Sequence, residues 1–194
     1  MREGRFFVHF IFLFFCSWGL NPSYLSLSRR LLWVGVFLAK LYNSFMFKTI
    51  ATAESCTGGL LGALLTSSPG ASDYYLGGAI AYHNRAKQVL LGVRLSTLKK
   101  YGAVSGQSAQ EMAIGIQKRL KADQGIAITG IAGPGGGTAG KPVGLVYIAL
   151  AGKAGVKCGK FLFKGSRRKI REQAAKTALN WLKRDGAVLP RRSK

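Results

Sequence analysis

An α/β domain is the fold class this sequence predicts: a three-layer α/β/α sandwich around a central sheet that is largely parallel or mixed. Three observations predict it. Short β-favouring runs alternate with helix-like segments from Phe47 to Arg184, the order that builds a buried sheet covered by helices. Nearly half of the residues (48%) are apolar and 26 are glycine, which suits packed layers joined by tight turns. At 194 residues the chain is long enough for one well-packed domain and short for two of ordinary size.

Residues 1–46 stand apart. Arg2 and Arg5 precede an apolar run, Phe6 to Leu20, closed by Asn21-Pro22-Ser23. This resembles the charged start and greasy centre of a signal peptide, but a small-x-small cleavage site is missing. Its fifteen residues are also short for a membrane span. A second apolar stretch, Leu31 to Met46, follows Arg29-Arg30 and repeats Leu31, Val34, Leu38, Leu41 and Phe45 at helical spacing. A membrane anchor, a docking helix and an extension not needed for function all fit. The expectation is a cytoplasmic domain spanning 47–186 behind an atypical leader, with 187–194 as a basic tail. Any membrane contact is confined to the leader.

The globular elements follow in order. Lys48 to Ala53 reads as a strand, then Gly58-Gly59 opens a helix over Leu60 to Thr66, which Ser68-Pro69-Gly70 ends. Gly78 to Tyr82 is a second strand leading into the polar run His83 to Lys87. Ser105 caps a helix reaching Leu120, whose apolar stripe is Ala109, Met112, Ala113 and Ile116. Gly125 to Thr129 is a strand, a glycine-rich loop runs to Gly140, and Val143 to Ala151 and Val156 to Lys164 are two more strands. Arg167 to Arg184 is the last helix. Ligands of such sheets gather in the loops beyond the carboxyl ends of strands, where the loops after Ala53 and Thr129 both lie.

Composition narrows the chemistry. Cys16, Cys56 and Cys158 are far apart, with neither disulfide-framework nor zinc spacing. The globular acids Glu54, Asp73, Glu111, Asp123, Glu172 and Asp185 are scattered, so no metal and no cofactor is expected. Only His9 and His83 supply imidazole. The formal net charge is +22, and from Lys153 onward fourteen Lys/Arg face two acids. Such a field gathers polyanions, yet no stacking-aromatic or recognition-helix motif accompanies it. A solvated basic surface favouring an anionic small substrate is expected over a nucleic-acid partner.

Ser55 follows a strand and precedes the glycine pair that opens a helix. There a hydroxyl sits beside unpaired backbone N–H groups suited to an oxyanion, although most such residues are simple helix caps. Cys56 is a rival nucleophile, but no His or acid is arranged to activate it, and burial beside a helix leaves a thiol inert. A serine nucleophile requires a base. His83 and Tyr82 are adjacent and, on a strand, would point to opposite faces. Lys87 is the alternative, provided burial or a cation such as Arg85 lowers its pKa; Tyr82 would then orient the proton. From the residues alone, an ordinary surface lysine is the favoured reading of Lys87.

The run Gly135 to Lys141 fits Walker A spacing, but Pro142 stands where Ser or Thr should bind Mg²⁺. Pro142 also biases Lys141 toward extended backbone where a phosphate-binding lysine opens a helix. The dinucleotide fingerprint fails as well, because a strand follows instead of a helix. A loop of bare backbone approaching a ligand remains, with the Thr129 hydroxyl at its edge.

These motifs resemble a known family, the C-terminal domain of the competence/damage-inducible protein CinA, found alone as nicotinamide-nucleotide amidase. The resemblance rests on Thr52 to Gly59, Tyr82 to Lys87, Gly102 to Ser105, Thr129 to Gly135 and Lys141 to Gly144, in the family's order and spacing. It implies metal-independent hydrolysis of the carboxamide of nicotinamide mononucleotide, giving nicotinate mononucleotide and ammonia. It implies Ser55, Tyr82 and Lys87 as the catalytic group. It surrounds the substrate with Cys56, Thr57, Gly58, Asn84, Thr129, Gly130 and Gly133, and with Arg167 or Arg171 as phosphate ligands. Backbone N–H groups between Cys56 and Gly58 would hold the oxyanion. A homo-oligomer is expected. The rival reading is a non-catalytic interaction domain of the same fold, linked to competence or DNA damage. The chain departs from the family at its greasy leader and at Gly165-Ser166-Arg167, where the family turn carries an acid.

Overall fold

The computed structural model describes residues 48–186, so the readings for residues 1–46 and 187–194 lie outside the described residues. Five strands form one sheet: β1 (Ile50–Glu54), β2 (Tyr75–Ile80), β3 (Gln124–Gly130), β4 (Leu145–Gly152) and β5 (Gly155–Leu162), in the order β2-β1-β3-β4-β5. The helices are α1 (Leu60–Leu65), α2 (Asn84–Leu91), α3 (Leu95–Tyr101), α4 (Gly106–Leu120) and α5 (Arg167–Arg184). β1 pairs in parallel with β2 and β3, whereas β3–β4 and β4–β5 are antiparallel. The sheet is therefore mixed, and the α/β sandwich predicted above is what forms. Among the described residues no helix is long and apolar enough to cross a membrane.

Two apolar clusters make the layers. One face of the sheet packs Ile50, Ile126, Ile128, Val146 and Ile148 against α1 and α5 through Leu61, Leu65, Ile170, Ala174, Ala178 and Leu182. The other packs Ala51, Ala53, Ala127 and Ala149 against α4 through Ala109, Met112, Ala113 and Ile116, the stripe read from the sequence. Small sheet residues on that face let α4 approach closely.

The sequence reading misses α2 and α3 and starts β2 three residues late. The reason lies in burial. In α2 the buried side chains are Lys87 and Leu91, while Val89 and Leu90 face solvent, so apolar periodicity gives no helical signal. α3 has no side-chain cap, and β2 is an edge strand with two glycines. Gly115 fixes where α2 ends: a Cβ there would lie 1.8 Å from the Leu91 carbonyl oxygen. A helix-interior glycine costs about 1 kcal/mol against alanine, and here it lets the end of α2 lie against α4.

Because β1, β2 and β3 run parallel, the loops after all three emerge at one edge. β1 connects through α1 to β2 on one side, and the chain then crosses to β3 on the other. The carboxyl end of β1 is thus the switch point at which α/β sheets bind ligands, and Ser55 occupies it.

Candidate active site

Ser55 begins a tight turn whose backbone is held from several sides. Its N–H donates to the Ile128 carbonyl at 3.0 Å, continuing the β1–β3 ladder, and its own carbonyl accepts from Gly58 at 3.1 Å. Gly58 and Gly59 adopt left-handed φ values of 61° and 99°, a conformation glycine enters without the Cβ penalty. Below the turn the buried Glu54 carboxylate accepts three backbone N–H groups: Gly59 and Leu61 on Oε2, both at 3.0 Å, and Gly62 on Oε1 at 2.8 Å. A carboxylate at a helix start satisfies its orphan donors and complements its dipole. The sequence reading passed over Glu54 as a scattered acid. The usable signal was an acid placed just before a glycine-opened helix.

Lys87 is the main surprise against the bland reading. It is 1% exposed, one helical turn into α2, with its ammonium under the Ser55 turn. Nζ lies 2.9 Å from Ser55 Oγ, 2.7 Å from the Ala81 carbonyl and 3.0 Å from the Tyr82 carbonyl. Burial lowers its pKa from the ordinary 10.5 to about 8. Arg85 is exposed and is not a cause of that shift, which corrects the expectation of a cationic neighbour; desolvation does the work. In the neutral amine the two carbonyls take the two N–H bonds, and the lone pair is left for the Ser55 hydroxyl.

The remaining expected residues divide. Cys56 is buried, and burial pushes its thiol up to about 11, so it is protonated at neutral pH and a poor nucleophile. His83 caps α2, its Nδ1 accepting from the Arg85 N–H at 3.2 Å, away from Ser55. Asn84 is exposed at the first position of α2. Thr129 is buried near the end of β3, one residue beyond the Glu54–Ile128 pair, and donates its hydroxyl to the Ala103 carbonyl at 2.9 Å, tying β3 to the loop after α3. Gly130 packs on Val146, where a Cβ would sit 2.6 Å from Cγ2. The glycine-rich loop closes on itself through Thr138 and Lys141, and Lys141 Nζ donates to the Tyr101 carbonyl at 2.6 Å. No helix follows Lys141, as the sequence argued.

Tyr82 contacts Lys87 through its backbone carbonyl. The residue is 59% exposed, and its hydroxyl accepts from Arg167 Nη2 at 2.9 Å. Arg167 Nη1 also donates to the Gly133 carbonyl at 2.7 Å, so this exposed guanidinium joins the loops after β2 and β3 at the mouth of the site. Arg171, one turn further along α5, points elsewhere: Nε and Nη2 donate to the carbonyls of Cys56 and Thr57, at 3.1 and 2.7 Å. Of the expected oxyanion donors, Gly58 N–H is already bonded. Among the described residues the Thr57 N–H donates to no protein group, and the Cys56 N–H lies only against its own thiol.

The sequence model of the CinA C-terminal domain matches residues 40–185. The chain belongs to the CinA C-terminal domain family. Its relatives include a CinA-like protein of Cyanothece sp., 52% identical over 149 residues, covering 76% of this chain and 35% of the relative. A CinA-like protein of Syntrophomonas wolfei is 52% identical over 137 residues, covering 71% and 33%. The chain therefore spans about a third of the length of the curated relatives it matches. Among solved structures it resembles the competence/damage inducible protein CihA from Agrobacterium tumefaciens. That likeness has TM-score 0.71 and 41% identity and covers 75% of this chain and 89% of that one. A CinA superfamily protein from Escherichia coli gives TM-score 0.69 and 35% identity over 75% and 84%. At the Gly165-Ser166-Arg167 turn, Ser166 caps α5, its Oγ 3.4 Å from the Lys169 N–H. Ser and Asp are comparable N-caps, so an acid at that turn would serve the helix start in the same way.

Proposed function

We propose that this CinA-family domain is a metal-independent amidohydrolase that converts nicotinamide mononucleotide to nicotinate mononucleotide and ammonia. The observation that carries the reading is the buried Lys87, hydrogen-bonded to Ser55 and oriented by two carbonyls. A lysine with pKa near 8 is a competent base close to neutral pH, and Ser–Lys pairs are an established variant of the serine triad.

The steps balance without a further group. Ser55 Oγ attacks the amide carbon while its proton passes to the Lys87 amine, and the carbonyl oxygen becomes an oxyanion facing the Cys56 and Thr57 N–H groups. The tetrahedral species collapses: the C–N bond breaks, Lys87 returns the proton to nitrogen, and ammonia leaves a nicotinyl ester on Ser55. Water then attacks that ester, giving one proton to Lys87, which passes it to the departing Ser55 oxygen. The acid product sheds its remaining proton to ammonia or solvent as the carboxylate departs. Arg167, exposed at the mouth, supports binding of the substrate phosphate, with Tyr82 holding its guanidinium.

The test is ammonia release from nicotinamide mononucleotide in the presence of EDTA. Release by the wild type that disappears in Ser55→Ala supports the reading. No release by the wild type overturns the substrate, and undiminished release by Ser55→Ala overturns the nucleophile.

A further inference from the structure

Peptide geometry links α5 to the chemistry. In a trans peptide the C=O and N–H lie in one plane and point in opposite directions. The Cys56 carbonyl shares its peptide with the Thr57 N–H, so the Arg171 Nε bond to that carbonyl aims the Thr57 N–H the other way. The Thr57 carbonyl shares its peptide with the Gly58 N–H, which donates to the Ser55 carbonyl. That carbonyl in turn shares its peptide with the Cys56 N–H. One guanidinium thus holds the Thr57 N–H through one peptide and the Cys56 N–H through two.

The same bonds polarise. A hydrogen bond from a cation is stronger than a neutral one, and hydrogen bonds in series strengthen one another. Charge drawn toward the Cys56 and Thr57 carbonyls therefore makes the N–H groups beyond them better donors. The surroundings isolate this pair. Glu54 occupies the Gly59, Leu61 and Gly62 N–H groups, and Ser55 occupies that of Gly58. Gly58 keeps the place open for Arg171, since a Cβ there would stand 3.2 Å from Nη2.

We propose that Arg171 is a positioning residue for the oxyanion-binding peptides Cys56–Thr57, acting through their carbonyls and not on the substrate. The assignment rests on Ser55 being the nucleophile, and it removes Arg171 from the phosphate-binding set. Lysine is no substitute, because two carbonyls need the planar fork and an ammonium is a single point donor.

The experiment reads Ser55 directly. An alkyl fluorophosphonate forms a tetrahedral adduct whose formation needs an oxyanion site but no amide substrate. Its rate of reaction with the full chain is followed by intact mass, beside thermal unfolding. Arg171→Lys, which keeps most of the stem, is expected to stay folded and to label at least about tenfold more slowly, with the pH midpoint of labelling unmoved. In Arg171→Ala, added guanidinium is expected to restore part of the rate, and methylammonium at equal ionic strength is not. With nicotinamide mononucleotide the loss falls on kcat, with KM within about twofold. Wild-type labelling rates in both variants, or a loss borne by KM alone, overturn the role. A wild-type Ser55 that never takes the reagent overturns the nucleophile and the role together. Labelling without ammonia release overturns only the substrate, and the variants' labelling rates then decide Arg171.

Discussion

Two lysines at opposite ends of one sheet show what burial does to the same side chain. At the amino end of the parallel strands, Lys157 has a side chain 68% exposed and pairs with Asp185 Oδ1 at 2.7 Å. Asp185 also accepts from Gln124 at 2.8 Å, and the Lys157 bond holds its carboxyl below the ordinary value. At the carboxyl end Lys87 is buried, touches three neutral oxygens, and drops to about 8. An exposed ammonium beside a carboxylate keeps both its water and its partner. A charge out of water with only carbonyls and a hydroxyl for company is ready to lose its proton.

That contrast can be broken in a graded way. Ser55→Ala removes the proposed nucleophile, and ammonia release from nicotinamide mononucleotide is expected to fall about ten-thousand-fold or more in a folded protein. Lys87→Met keeps the stem but takes no proton; kcat is expected to drop about a hundredfold to ten-thousand-fold, with circular dichroism confirming the fold. Arg167→Ala leaves the Ser55–Lys87 pair intact, so kcat should hold while KM rises roughly tenfold to a hundredfold, the worth of one charged hydrogen bond. Lys157→Ala closes the series: an exposed ion pair is worth under about 1 kcal/mol, so urea unfolding should shift slightly and kcat should not change.

Much of this was legible in the sequence, for identifiable reasons. α5 begins where Gly165-Ser166 supplies a cap, and Ser105 starts α4 in the same way, its Oγ 3.2 Å from the Ser108 N–H. The Ala109, Met112, Ala113 and Ile116 stripe is fully core. Ser55 was readable because a strand, a hydroxyl and a glycine pair form a local pattern. Lys87 was readable as a candidate but its burial was not, because that is created by packing against elements far away in the chain. The split between Arg167 and Arg171 was equally hidden. The two lie one turn apart on one helix, and the loops they meet belong to β1, β2 and β3.

The account's central claim is that Lys87, its pKa lowered by desolvation, is the base that serves Ser55. Lowering a lysine's pKa leaves it charged and useless below that value and neutral above it. Activity must therefore appear as pH rises. The most direct test is the pH dependence of kcat/KM for ammonia release, measured on wild type at constant ionic strength. The account predicts a rise to a plateau with a single midpoint near 8. A midpoint left near 10.5, or a midpoint near 8 that survives in the residual activity of Lys87→Met, would contradict it.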